Sequence, residues 1–303
     1  ERSGDLRVNQ IMPGDTNAVL SNTFLPFEAL PKVLNPSHGY LFNTNNSPFN
    51  CAHEEDNVNP KDYEEYRLGY KEDYNNRSRR FEQLISENEG KLSMDDFYTI
   101  KYDIQYPDNI WTPSGASVIF KENPSEYPKY EELIELIQNW NHRADTSNIG
   151  AAQWAIYYRN YLSLKKMSLS ERDLISLCLK KTNKHLMKHF GKLDIQLNVY
   201  QRHKREGKEL AVPGLTDMIA AMSSAPDKKG KVKPVHGESY IMIIQYSDNG
   251  VEVETVLPYG NSRVMSSRHY TDQMKMYARQ ERKKMSLSLD DAIKSAVRSY
   301  HPK

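Results

Sequence analysis

Two adjacent asparagines, Asn45 and Asn46, have the residue type and position that best fit catalytic chemistry in this sequence. They follow an apolar segment, residues 39–44, and precede a Ser47-Pro48 turn. An asparagine side chain donates hydrogen bonds through an uncharged NH2 group. Such a neutral donor can stabilise the negative charge that develops on an oxygen atom in a transition state. The same residues could instead close an Asx turn before the proline, and the residues alone favour that structural role.

A histidine pair, His185 and His189, is the second feature to weigh. The two residues lie four positions apart in a segment with helical character, so they share one helix face. Two histidines at this spacing are half of a zinc site, but no Glu follows His185 in the HExxH arrangement and no third ligand is nearby. Lys184 and Lys188 beside them indicate a solvated face. The pair is therefore not predicted to bind a metal.

The common signatures of nucleotide-binding proteins and serine hydrolases are missing from the sequence, which has no Gly-x-Gly-x-x-Gly, Walker or Gly-x-Ser-x-Gly motif. Charged residues make up 27% of the 303 residues, and the formal net charge is +1. This balance gives no electrostatic footprint for nucleic acid, and the basic run at residues 228–233 is predicted to be a solvated loop. No apolar stretch reaches the roughly 18 residues of a membrane span. Neither nucleic acid nor a membrane is expected as a partner.

The elements that must position these residues change character along the chain. Residues 1–50 are predicted to form strands and turns, with strands at 17–27 and 39–44, and residues 50–75 a polar loop. Helices follow on apolar spacings of three and four residues. They are predicted from residue 76, from Ser93 with Asp96 in a capping box, and at 127–140, 151–164 and 168–190, the last opening with Ser168 and Glu171. Cys178 is predicted to be a core residue of this last helix, and Cys51 a partly exposed thiol.

A β-hairpin is predicted after the helices. Residues 240–246 form a near-continuous apolar run, which indicates a buried strand, and residues 251–257 alternate apolar with acidic or polar residues, which indicates a strand with one solvated face. Asn249-Gly250 between them is a strong turn signal. Two further helices are predicted near 270–281 and 288–300. This order of elements predicts an α+β layer protein with a helical insertion between parts of one sheet.

Several motifs, in order along residues 12–300, resemble one family of hydrolases. The most specific are Asn35-Pro36, Gly39-Tyr40 and Asn45-Asn46-Ser47-Pro48 near the start and His269-Tyr270-Thr271-Asp272-Gln273 near the end. Residues 79–84, 92–96, 102–103, 140 and 150–152 add matches between them. Together they resemble the C-terminal part of the β-subunit in the penicillin acylase family of N-terminal nucleophile hydrolases.

The resemblance implies roles for four residues. The first Asn of the Asn-Asn-x-Pro motif supplies a side-chain donor to the oxyanion hole of the family, and that residue is Asn45 here. An active-site arginine that orients its surroundings matches Arg80, with Arg79 as the alternative. His269 is expected to be structural and to form hydrogen bonds within the fold.

The resemblance also implies a fold, namely the C-terminal part of a four-layer αββα structure with a helical insertion. In that interpretation residues 1–75 supply sheet strands and the active-site loop. Residues 76–210 form the mainly helical insertion. Residues 211–303 contribute the hairpin and the C-terminal helices that complete the sheet layer.

The family's nucleophile is the N-terminal Ser or Cys of the mature β-subunit, and the α-amino group of that residue serves as the base. This sequence begins with Glu1, so it is expected to be a fragment whose nucleophile lies elsewhere. The expected partners are the remaining α- and β-subunit segments of the same precursor. The implied substrate is a small N-acyl compound, such as a penicillin-type side-chain amide or an N-acyl homoserine lactone. The alternative is a non-catalytic relative that acts as an interaction or scaffold protein.

The resemblance implies a periplasmic or secreted protein and, in some members of the family, a bound calcium ion. An acidic loop, Glu54-Glu55-Asp56 with Asp62, is the candidate region for such an ion. Its spacing departs from that of a calcium site, so no ligand set is assigned.

Overall fold

A computed structural model describes residues 14–15, 24–66, 74–88, 90–296 and 298. The chain divides into two compact units, residues 1–74 and 75–303. The α-helices are α1 Asn76–Ser86, α2 Met94–Lys101, α3 Glu131–Gln138, α4 Ala151–Leu164, α5 Glu171–Phe190, α6 Leu197–Tyr200, α7 Met274–Ala278 and α8 Leu289–Ser295. The strands are β1 Arg202–Arg205, β2 Lys208–Ala211, β3 Met222–Pro226, β4 Val232–Gly237, β5 Ile241–Ser247, β6 Gly250–Val256 and β7 Lys283–Met285. This mixed content agrees with the predicted α+β class, while the αββα layers and the helical insertion stay predictions.

The first unit contains three 3-10 helices, Phe27–Ala29, Glu54–Asp56 and Pro60–Tyr66, and no strand among its described residues. The strand predicted at residues 39–44 is therefore wrong. A strand needs a neighbour to pair its backbone groups, and no second strand is present in the described part of this unit. Isolated backbone bonds hold the segment instead, such as the one from Phe42 N to Cys51 O at 2.8 Å. The strand predicted at 17–27 lies mostly outside the described residues.

The second unit is built around the helices α3, α4 and α5, whose apolar faces share one core. Helix α4 covers residues 151–164 as predicted, and α3 lies within the predicted 127–140. Trp154 and Tyr157 of α4 are fully buried, as are Ile175 and Leu179 of α5. Burial of each such side chain contributes roughly 1.5–3 kcal/mol, so this core carries most of the stability of the unit. Among the described residues, no helix is both long and apolar enough to cross a membrane.

Serine residues cap the N-termini of α2 and α5. The predicted capping box of Ser93 and Asp96 is confirmed, with Asp96 N donating to Ser93 Oγ at 3.1 Å and Ser93 N donating to the Asp96 carboxylate at 2.8 Å. The predicted start of α5 at Ser168 is wrong by two residues. Ser170 is the N-cap, because its Oγ accepts from Asp173 N at 3.1 Å. Ser-x-x-Asp provides the same cap as the predicted Ser-x-x-Glu, and the structure uses the later of the two.

All the paired strands are antiparallel, in two two-stranded sheets, β1–β2 and β3–β4, and one three-stranded sheet, β5–β6–β7. The predicted hairpin is confirmed as β5–β6. Its turn is formed by Asp248 and Asn249, one residue earlier than predicted, because Gly250 already lies opposite Ser247 in the ladder. The Ser247 hydroxyl accepts from Asn249 N at 3.3 Å and closes this tighter turn. Strand β4 begins inside the run 228–233 that the sequence predicts as a loop.

The hairpin buries one face rather than two. Ile241 and Ile243 pack with Val256 against residues of α2 and α7. Met242 and Ile244, on the other face of β5, are 46% and 41% exposed. The prediction of a fully buried strand at 240–246 is therefore wrong, because side chains alternate across a strand and only one face meets helices in this structure.

The two cysteines lie in the environments predicted from the sequence. Cys178 is buried in α5, and Cys51 is partly exposed. Burial raises the pKa of the Cys178 thiol to about 11, so it is protonated at neutral pH.

A thiol reagent at pH 8 should therefore modify Cys51 while Cys178 stays protected until the chain unfolds, because the thiolate is the reactive form. In the variant Cys51→Ala, rapid labelling under native conditions would contradict this assignment.

Close packing at the start of α4 gives a second prediction. Gly150 has φ +98°, and a Cβ there would meet the Leu136 carbonyl oxygen at 2.8 Å and the Trp140 side chain. Gly191, which ends α5, has φ +73° but open space around it. Gly191→Ala should thus cost only the left-handed backbone penalty of roughly 1–2 kcal/mol. Gly150→Ala should cost about 1–3 kcal/mol more, because it also overpacks the helix contact.

Chemical denaturation of both alanine variants measures this difference directly. Equal losses of unfolding free energy would mean that Trp140 and the start of α4 move apart with no further loss of stability.

Candidate functional site

The asparagine-rich loop of the first unit is held together by Asn46. Its side-chain oxygen accepts from Thr44 N at 2.5 Å and from Thr44 Oγ1 at 3.0 Å. Its side-chain NH2 donates to Asn50 O and, at 3.4 Å, to Ser47 O. The amide of Asn46 is thus used on both sides within the loop. This is the structural role that an Asx turn implies, and it falls on the second asparagine of the pair.

Asn45 has a different environment from its neighbour. Its backbone adopts φ +60°, a left-handed conformation that is uncommon outside glycine. Its N–H donates to Asn43 Oδ1 at 2.8 Å, which fixes the turn from the preceding side. The residue is exposed. The loop therefore holds the Asn45 backbone in a constrained conformation at an exposed position.

The predicted arginine, Arg80, lies in α1 and is buried. It forms a two-point ion pair with Asp103, which follows α2: Arg80 Nε lies 3.2 Å from Asp103 Oδ1, and Nη2 lies 3.0 Å from Oδ2. Asp103 Oδ1 also accepts from Gln105 N at 3.0 Å. Arg79 is exposed, and its guanidinium carbon lies 5.8 Å from the centre of the Trp111 ring. Of the two arginines, Arg80 is the one with fixed geometry.

Asn45 belongs to residues 1–74 and Arg80 to residues 75–303. The structure places each of them within its own unit. Their assignment to one active site stays a prediction.

The three histidines discussed from the sequence have structural partners. His269 Nδ1 lies 2.7 Å from Asp272 Oδ2, a bond within the His-Tyr-x-Asp-Gln segment. His185 Nε2 lies 2.8 Å from Gly230 O, and burial lowers the pKa of His185. A neutral His185 that donates from Nε2 has no lone pair on that atom for a metal. The rings of His185 and His189 lie 4.8 Å apart, in contact with each other.

The acidic loop considered for calcium is organised around Asp56. Its carboxylate accepts from Ser37 N and Ser37 Oγ, both at 2.8 Å, and lies 3.0 Å from His38 N and 2.9 Å from His38 Nδ1. Desolvation opposes ionisation of Asp56, but these hydrogen bonds outweigh it and lower the pKa of the carboxyl group. Asp56 is thereby committed to holding residues 37–38. The carboxylates of Glu54, Glu55, Asp56 and Asp62 do not converge as a set of three ligands.

A different set in the same loop has donor atoms close enough to hold a metal. In the described part of the chain, His38, His53 and Glu55 bring their ligand atoms within 4.8 Å of one another. His38 Nε2 lies 3.6 Å from Glu55 Oε2, and the rings of His38 and His53 stack at 3.5 Å. Imidazole nitrogen suits zinc-like ions, whereas calcium prefers oxygen ligands. The sequence gives no signal for this set, because His38 and His53 are fifteen positions apart and form no local motif.

Comparison with known families decides the relationship. Residues 2–294 match the family model described as penicillin amidase. The chain belongs to the penicillin amidase family. Among solved structures it is similar to a thermostable penicillin G acylase from Alcaligenes faecalis, with 15% sequence identity and a TM-score of 0.48. That match covers 92% of this chain and 59% of the acylase chain, so the chain spans less than two thirds of that relative.

The match to the penicillin amidase family confirms the resemblance drawn from the sequence motifs. The particular roles of Asn45 and Arg80 stay predictions.

The Arg80–Asp103 pair yields a stability prediction for this penicillin amidase family member. Arg80→Met should lower the free energy of unfolding by about 3–5 kcal/mol, because it leaves the buried Asp103 carboxylate without its partner. The double variant Arg80→Met with Asp103→Leu should recover most of that loss, since no unpaired charge then remains.

Urea denaturation provides the measurement, and Arg79→Met is the matched control. Arg79 is exposed, so its replacement should change the unfolding free energy by no more than about 0.5 kcal/mol. If Arg80→Met were as mild as Arg79→Met, the pair would have no structural importance.

Proposed function

We propose that the complete protein containing this chain is an acylase that hydrolyses the amide bond of a small N-acyl compound. Membership of the penicillin amidase family supports the reaction class. The candidate substrates are a penicillin-type side-chain amide and an N-acyl homoserine lactone, both of which join an apolar acyl group to a small amine.

In this proposal the reaction passes through an acyl-enzyme. The serine oxygen replaces the amine at the carbonyl carbon, the C–N bond breaks, and the amine leaves with the proton that came from the serine hydroxyl. Water then hydrolyses the ester and releases the acid. The nucleophile is an N-terminal serine outside the 303 residues, and its own α-amino group removes the hydroxyl proton. An α-amino group with an ordinary pKa of about 7.7–8.0 is available as a base near neutral pH. Attack on the carbonyl carbon places negative charge on the carbonyl oxygen. The side-chain NH2 of Asn45 donates to that oxygen in the tetrahedral intermediate.

The observation that carries the proposal is the constrained backbone of Asn45. A left-handed conformation at a residue other than glycine costs free energy, and such residues cluster at functional sites. The Asn43 side chain and the network of Asn46 over-determine this turn. An asparagine fixed in this way loses little further conformational entropy when it binds an oxyanion. That is the pre-organisation on which oxyanion stabilisation depends.

Arg80 has a positioning role in this proposal. Its two-point pair with Asp103 joins α1 to the residue two positions beyond the end of α2. Both of its contacting nitrogens are used by Asp103, so Arg80 is suited to hold helices in place rather than to bind substrate.

The partners are the other α- and β-subunit segments of the precursor and the N-acyl substrate. We place the protein in the periplasm or outside the cell, where members of the family are typically found. The described carboxylates of the acidic loop do not converge as calcium ligands, and a calcium ion bound by the complete enzyme stays an expectation from the family.

The test uses the complete processed enzyme and compares three variants. Asn45→Ala should lower kcat by about 10²–10³, because the lost donor acts only in the transition state, and it should change KM much less. Asn45→Gly should lower kcat equally while gaining stability, because glycine adopts the left-handed conformation without strain. Asn46→Ala, the matched control, should lower the melting temperature, because it removes the side-chain hydrogen bonds that hold the loop together.

Steady-state kinetics on an N-acyl substrate and thermal denaturation separate these outcomes. An Asn45→Ala enzyme with unchanged kcat would remove Asn45 from the oxyanion hole. A complete protein that is folded but hydrolyses no N-acyl compound would favour the alternative of a non-catalytic relative.

A further inference from the structure

A cavity of about 280 Å³ lies beside α4 in the second unit. Its walls include four aromatic side chains, those of Tyr106, Trp154, Tyr158 and Tyr200, together with Leu215 and Met222. Trp154 and Tyr158 lie on α4, and Met222 begins β3. The walls are therefore mostly apolar and come from both the helical core and a sheet, which is typical of small-molecule sites.

One charged side chain, Arg159 of α4, also lines this cavity. Its Nη1 atom is buried and has no hydrogen-bond partner. The guanidinium carbon lies 5.9 Å from the centre of the Tyr200 ring, which is another wall of the cavity. Buried polar groups are nearly always paired in folded proteins, and an unpaired charged donor is costly. The guanidinium of Arg159 therefore presents a donor to the cavity that no described side chain or backbone group engages.

Three other polar side chains of the wall, Gln201, Thr216 and Ser224, have hydrogen-bond partners within the fold. Gln201 Nε2 donates to Gly214 O at 2.8 Å, and its oxygen accepts from Ser224 Oγ at 3.0 Å. Thr216 Oγ1 donates to Met222 O at 3.3 Å. These bonds leave Arg159 as the group that sets the charge preference of the cavity.

No Asp or Glu is among the described residues that line the cavity. The carboxylate of Asp217, which follows the lining residue Thr216, accepts from Arg77 Nε at 3.1 Å and from Asn76 Nδ2 at 2.8 Å. It is thus engaged by another cation and is not the counter-charge of Arg159. The cavity has a positive charge and apolar walls.

We propose that this cavity binds a small apolar carboxylate, with the carboxylate on Arg159 and the apolar body against Trp154 and Tyr200. Arginine presents a planar fork of donors that matches a carboxylate. The cavity is roughly twice the 150 Å³ cavity that accommodates benzene, so it has room for one ring or a short branched chain plus the acid group. The inference does not depend on the proposed acylase function, since it uses neither Asn45 nor Arg80.

Isothermal titration calorimetry of the 303-residue chain with benzoate and benzamide tests the proposal. The two probes have the same shape and differ in charge. Benzoate should bind at least about tenfold more tightly, because hydrogen bonds between two charged groups are stronger than those to a neutral acceptor. No detectable benzoate binding at millimolar concentration, or equal binding of the two probes, would overturn it.

Substitutions then locate the site. Arg159→Met keeps the length of the side chain without its charge, and it should weaken benzoate binding at least about tenfold while benzamide binding hardly changes. The matched control is Arg172→Met, an exposed arginine of the neighbouring helix α5 that pairs with Glu126, and it should leave both affinities unchanged. Unaltered benzoate affinity in a folded Arg159→Met chain would reject the assignment.

A second variant keeps the proposal testable if Arg159→Met fails to fold. Ala155 lines the same cavity, so Ala155→Phe fills it while retaining Arg159. Benzoate binding should be lost in this variant. Binding that survived a filled cavity would place the carboxylate elsewhere on the surface.

Discussion

Burial of α4 between α3 and α5 is the interaction on which the second unit depends. Trp154, Ile156 and Tyr157 are almost completely removed from solvent, so α4 meets protein on the face of Trp154 and Tyr157 and also on the side of Ile156. Gly150 makes this arrangement sterically allowed, since only a residue without a side chain fits beside Trp140 at the helix start. Arg159 is carried into the cavity wall by the same packing. The position of the charged group is thus a consequence of how the helix is buried.

Two polar side chains of α4, those of Gln153 and Arg159, differ in their hydrogen bonding. Gln153 is fully buried, yet its oxygen accepts from Gly150 N at 2.8 Å and its NH2 donates to Leu193 O and Ile195 O. This side chain ties the helix start to residues 193–195 and leaves no polar atom unpaired. Arg159, two turns further along the same helix, has an unpaired nitrogen. Gln153 is thus a polar group that builds the fold, whereas Arg159 contributes its charge to the cavity wall.

The sequence predicts those elements that are stabilised by local contacts or whose apolar residues recur with a clear period. The bounds of α4, the Ser93 cap and the antiparallel hairpin follow from apolar spacing and turn chemistry. The strand at 39–44 could not be judged in this way, because a strand exists only with a partner and the sequence does not name one. The motif that contains Asn45 is visible in the sequence, but its left-handed backbone is not. The unpaired nitrogen of Arg159 depends on residues far apart in the chain, so no local pattern could predict it.

The three-stranded sheet has two unlike edges. Strand β7 carries Lys283 and Lys284, and lysine on an edge strand discourages pairing with another chain. Strand β5 pairs with β6 alone among the described strands, and its outer face exposes Met242, Ile244 and Tyr246. Association between chains in a concentrated solution is therefore expected through β5 and not through β7. A sedimentation coefficient that rises with protein concentration would reveal it. A single lysine in place of Met242 would give β5 the protection that β7 already has.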